Sequence, residues 1–74
     1  MDEDLGKMIL FHRKQSGLTR IQLADLADVG KTVIFEIENG KRTVRYETLL
    51  KVLEALNIKI VFESPLMEIY RETS

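Results

Sequence analysis

Lys31, Thr32, Phe35 and Glu36 are spaced to share one side of a short helix, with Ile34 and Ile37 on the other. An ammonium, a hydroxyl, an aromatic ring and a carboxylate on one side suit recognition by hydrogen bonds, ion pairs and apolar contact. They do not form a catalytic set. The single histidine, His12, has no acidic partner at metal-ligand spacing and no nucleophile beside it in a recognisable motif, and there is no cysteine. That inventory builds neither a disulfide nor a metal centre, and no phosphate-cradling glycine loop is present. The expectation is a non-enzyme without metal or cofactor.

A chain of 74 residues makes one domain with a marginal core. With the usual covalent and metal staples missing, a second subunit is the remaining source of buried area. The start, MDEDLG, is acidic, unlike a signal peptide, and no apolar run nears the ~18 residues of a membrane span. The absence of cysteine fits a reducing cytoplasm, where the protein is expected to reside. Net charge is −1, but it is unevenly spread. Residues 2–4 carry −3 and residues 64–74 carry −1, while residues 5–63 sum to +3. A modestly basic body with acidic ends is compatible with nucleic acid without diagnosing it.

The spacing predicts a first helix over Leu5 to Ser16, capped by Asp4, with Leu5, Met8, Ile9 and His12 in phase and Gly17 as its stop. Thr19-Arg20-Ile21-Gln22 is a T-x-x-Q capping box opening a second helix, whose apolar side is Leu23, Ala24, Leu26 and Ala27. It breaks at Asp28-Val29-Gly30, and a third helix runs from Lys31 to Glu38, stopped by Asn39-Gly40. After a basic loop, Lys41 to Arg45, a fourth helix carries Tyr46, Leu49, Leu50, Leu53 and Leu56 on one side and ends near Asn57. Then the period becomes two: Ile58, Ile60 and Phe62 alternate with Lys59, Val61 and Glu63, which predicts a strand. The tail after Ser64-Pro65 is read as one helical turn or as mobile. The organisation is therefore an acidic extension (1–4), a helical domain (5–57), a strand (58–63) and a tail (64–74).

Two short helices joined by so tight a break must cross steeply over a small residue, here Ala24, and expose one side of the second of them. Such a helix fits the major groove of B-DNA, about 12 Å wide. The stretch "GLTRIQLADLADVGKTVIFEIENGKR" resembles the helix-turn-helix of the Cro/repressor (XRE) family, through Gly17, Leu18, Thr19, Leu23, Ala24, Val29, Ile34, Ile37, Glu38, Asn39 and Gly40. "TVRYETLLKVLEALNIKIVFESP" is similar to the HipB-type antitoxin branch. The resemblance covers residues 5 to about 65 and departs at Arg20 (usually glutamine), Asp28 (usually glycine), Gly30 (usually a Ser or Thr cap), and Phe35 and Glu36 (mostly uncharged polar residues). It implies an all-α, lambda-repressor-like domain of four or five short helices.

It also implies roles. The positions of Lys31 and Thr32 contact base edges in the family; lysine suits guanine O6 or N7, and threonine a hydrogen bond or a thymine methyl. Phe35 either points outward to thymine methyls or, with the helix rotated, belongs to the core. Glu36 either accepts from cytosine or is neutralised by Lys31 or Lys41. Lys41, Arg42 and Arg45, with Arg20 at the start of the second helix, are expected on phosphates. Arg13 and Glu38 are expected to form a partly buried ion pair.

The strand has no partner within the chain, and an unpaired edge invites pairing. Ile58, Ile60, Val61 and Phe62 are therefore expected to pair across a homodimer, unless the segment packs on its own domain. Leu10 and Phe11 are left for the dimer seam or a partner protein. The expected function is a repressor binding double-stranded DNA at an inverted repeat. The resemblance implies an antitoxin with a HipA-like kinase toxin as partner. The rivals are a stand-alone phage-type or metabolic repressor, and an interaction module without DNA binding.

Overall fold

The computed structural model describes residues 2–41 and 43–73, with side chains from Leu5 onward. Five helices follow one another among the described residues: α1 (Asp2–Gln15), α2 (Arg20–Ala27), α3 (Lys31–Glu38), α4 (Tyr46–Ala55) and α5 (Met67–Thr73). The backbone of residues 2–4, read from the sequence as an extension, is the first turn of α1, so Asp4 is not its cap. Acidic residues are favoured in a first turn by the helix dipole.

The breaks between helices follow local chemistry. Gly17, at φ +70°, takes the left-handed conformation that ends α1. Thr19 Oγ1 accepts from the Gln22 N–H at 3.1 Å while Gln22 Oε1 accepts from the Thr19 N–H at 2.8 Å, which completes the capping box. α2 stops at Asp28, left-handed at φ 58°, and the Val29 N–H returns to the Ala24 carbonyl at 3.0 Å. Asp28 pays steric strain there that glycine would not. Asp28→Gly should therefore stabilise the domain by about 0.5–1 kcal/mol, read as a rise in the urea midpoint with unchanged slope.

α3 packs on α1 and α2, and α2 packs on α4. The core is Ile9, Leu23, Ala24, Ala27, Ile34, Ile37, Val52, Leu53 and Leu56. Ala24, the small residue expected where α2 and α3 cross, is buried in the core. Two expected core residues are corrected. Leu26 and Tyr46 are exposed. Leu26 lies roughly 100° round from the middle of the Leu23–Ala24–Ala27 stripe at 3.6 residues per turn. Tyr46 is nearly in phase with buried Leu53 but is the first residue of α4, about two turns before the buried Val52 and Leu53.

The expected strand is also corrected. Residues 58–64 have no regular structure, because a strand is its ladder and no second extended segment lies beside them among the described residues. Ile58 is half-buried, but Ile60, Val61 and Phe62 are exposed. Beyond Ser64, α5 buries none of its residues; the Arg71 guanidinium ties it to the arm by donating to the Phe62 carbonyl at 3.3 Å. This projecting arm accounts for the elongation, 42 × 21 × 21 Å with a radius of gyration of 14.1 Å, against about 11 Å for a compact chain of this length.

Candidate nucleic-acid interface

α3 is held by its two buried isoleucines, Ile34 and Ile37, and turns Lys31, Thr32 and Phe35 outward. Phe35 is 52% exposed, so the helix is not rotated to bury it. On either side of α3 lies a shallow hollow. One, of about 390 Å³, is lined by Arg20, Ile21, Lys31, Thr32 and Phe35. The other, of about 180 Å³, brings Glu36, Lys41 and Arg45 together with Val33, Thr43, Val44 and Thr48. Two groups of expected contact residues thus flank one helix. Arg42 lies outside the described residues.

The charges are arranged in pairs. Lys41 Nζ donates to Glu36 Oε2 at 3.0 Å, so Lys41 rather than Lys31 neutralises that carboxylate. Arg13 and Glu38, 25 positions apart, meet: Arg13 Nε and Nη2 donate to the two carboxylate oxygens at 2.6 and 3.1 Å, and Nη1 donates to the Leu18 carbonyl at 3.0 Å. This links the end of α1 to the end of α3. Burial raises the Glu38 pKa, but hydrogen bonds from Arg13 and Arg20 and their charges outweigh it, so the carboxyl titrates below its ordinary 4.5. Arg20 is held more firmly than a surface phosphate contact requires. Its Nε donates to Glu38 Oε1 at 3.0 Å, and its guanidinium carbon sits 5.2 Å from the centre of the Phe35 ring. His12 is tied into its own helix, Nδ1 donating to the Met8 carbonyl at 2.7 Å.

Sequence reasoning missed Ile21, which is exposed beside Phe35. The available signal was an apolar residue out of phase with Leu23, Ala24 and Ala27.

Residues 12–62, which include α2 and the exposed α3 with its flanking cations, match a family model described as Helix-turn-helix. The chain belongs to the helix-turn-helix family. Members of this family are DNA-binding regulators, not enzymes. An uncharacterised HTH-type transcriptional regulator of Sinorhizobium fredii is 34% identical over 62 residues, which is 84% of this chain and 82% of that protein. A competence pilus inhibition repressor of Acinetobacter baylyi is 33% identical over 57 residues, 77% of this chain and 52% of that protein. Among the described residues no helix is long and apolar enough to cross a membrane.

Proposed function

We propose that this helix-turn-helix protein is a transcriptional repressor that binds an inverted-repeat operator as a homodimer. The observation that carries the reading is α3 itself, anchored by Ile34 and Ile37 while Lys31, Thr32 and Phe35 face solvent. In this reading α3 enters the major groove; Lys31, Thr32 and Phe35 meet base edges, and Arg20, Lys41, Arg42 and Arg45 meet phosphates. Glu36 stays paired to Lys41, which removes a bare negative charge from the phosphate side.

The dimer is supported by the arm. Ile60, Val61 and Phe62 are exposed, and the hollow of about 530 Å³ beside them is walled by Leu5, Met8, Leu49, Leu53, Ile60 and Phe62. A second copy, paired antiparallel along residues 58–63, would supply the missing ladder and cover that hollow. It would also present two α3 helices to major grooves about 34–36 Å apart.

The test is a footprint on the protein's own promoter with the oligomeric mass measured alongside. A protected palindrome and a dimeric mass are expected; a monomer that ignores duplexes at low salt would overturn the reading. Lys31→Ala and Thr32→Ala should each relax base choice at one position per half-site, by about 1–3 kcal/mol in a binding-site selection. Arg45→Ala should weaken all duplexes alike and reduce the salt slope by about one.

The antitoxin role, with autoregulation of a toxin operon and a HipA-like kinase as partner, rests on the resemblance of residues 43–65 to the HipB branch. A stand-alone repressor is favoured by the Acinetobacter relative, whose name describes a repressor of another process. A kinase-like gene next to this one, and co-purification of its product, would decide for the antitoxin.

A further inference from the structure

The hollow between α2 and α3 has two apolar walls, Ile21 and Phe35, both more than half exposed. Its remaining lining is Arg20, Lys31 and Thr32, two cations and a hydroxyl with no carboxylate. Two large apolar side chains held in water on the face that carries α3 imply an apolar group to be received there. The cations imply that this group sits in a negatively charged partner. On the major-groove edges of duplex DNA, the apolar group is the C5-methyl of thymine. Phe35 is also braced. Arg20 lies over its ring at 5.2 Å and is anchored in turn by Glu38 at 3.0 Å, a carboxylate whose side chain is 2% exposed.

We propose that Ile21 and Phe35 form a receptacle for the C5-methyl of one thymine in each half-site, and that Arg20 is the positioning residue that sets the Phe35 ring. The inference rests on the DNA-binding reading and deepens it. Arg20 accordingly affects which base is preferred, not only how tightly phosphates are held.

The experiment uses the full chain and duplexes selected by it from a random pool. Each thymine is replaced in turn by deoxyuridine, which keeps the pairing edge and lacks only the methyl. At one position per half-site this should weaken binding roughly fourfold, the worth of one buried methyl-sized group. Ile21→Ala, Phe35→Ala and Arg20→Ala should each bring that thymine-to-uracil ratio toward one at the same position. A phosphate contact alone would leave the ratio intact while lowering all affinities. The scan on the unaltered protein needs no variant to fold, and both wall residues lie outside the core. Tight, sequence-selective binding that tolerates uracil everywhere would overturn the receptacle and spare the DNA reading. A ratio that survives in Ile21→Ala and Phe35→Ala would place methyl readout elsewhere and overturn it too. Failure to select any duplex would remove both.

Discussion

Glu38→Ala should lower the stability of the domain by about 3–5 kcal/mol, the cost of stranding a buried charge. Against a total of about 5–15 kcal/mol for a small domain, that is a large fraction of the whole, and at the low end of the range it would bring the chain to its unfolding midpoint. The cause is Arg13, whose side chain is 9% exposed and which gives two of its three hydrogen bonds to Glu38. Without the carboxylate, the guanidinium keeps only the Leu18 carbonyl and loses its counter-charge. Urea unfolding checks this: the midpoint should fall while the slope stays near its original value. Replacing Arg13 and Glu38 together by methionines should cost less than either single change, because no lone charge remains. Acid should act on the same group. Its folded pKa lies below the ordinary 4.5, so the unfolded chain binds the proton more readily. The contribution is full above the ordinary carboxylate range and is lost as pH falls through the lower, folded value. Glu38→Gln should flatten that acid limb, and a limb identical to the original would show that another carboxylate controls it.

Gly6→Ala should also destabilise, by about 1–3 kcal/mol, although alanine is the better helix former by about 1 kcal/mol. Gly6 is buried within α1, and a Cβ there would stand 2.4 Å from the Ile37 carbonyl oxygen and 3.1 Å from that of Glu38. Both obstacles are backbone at the end of α3, so no rotamer change relieves the clash; the two helices must separate. The same separation pulls on the Arg13–Glu38 pair, which spans the same two helices. Gly6→Ala and Glu38→Ala are therefore expected to be non-additive. In a thermal melt the Gly6 variant should lose about 4–8 °C for each kcal/mol in a domain of this size. Its operator affinity should fall further than the stability loss alone explains, because α3 is displaced. A melt at or above that of the original protein would mean that α1 shifts without strain.

Local signals were legible wherever the deciding contacts lie within a few residues. The Thr19–Gln22 box, the left-handed stop at Gly17 and the span of α3 all follow from short-range backbone chemistry. Which face of α3 holds Phe35 is left open by the sequence, since the ring fits either solvent or core; the packed structure decides for solvent, with Phe35 52% exposed and Ile34 and Ile37 buried. Leu26 and Tyr46 were misassigned for the opposite reason. An apolar residue at the margin of a stripe is buried or exposed according to where the neighbouring helix lies, and that neighbour is set by the whole bundle. Residues 58–63 have the period of a strand, but alternation only states a demand for a partner; the ladder depends on a second segment.

The sequence by itself determined four of the five described helices, the Thr19–Gln22 box, the breaks at Gly17 and Asp28, and an apolar arm at the end. Periodicity and capping are nearest-neighbour physics, so 74 residues suffice to write them down. Only the tertiary structure decided that Gly6 is where α1 touches the end of α3, 31 positions on, or that Glu38 holds two arginines from two other elements. It also decided that Arg20, expected to wait for a phosphate, is set between that carboxylate and the Phe35 ring, with Ile21 alongside. Such contacts depend on the angle at which helices cross, and that angle is a property of the packed core as a whole.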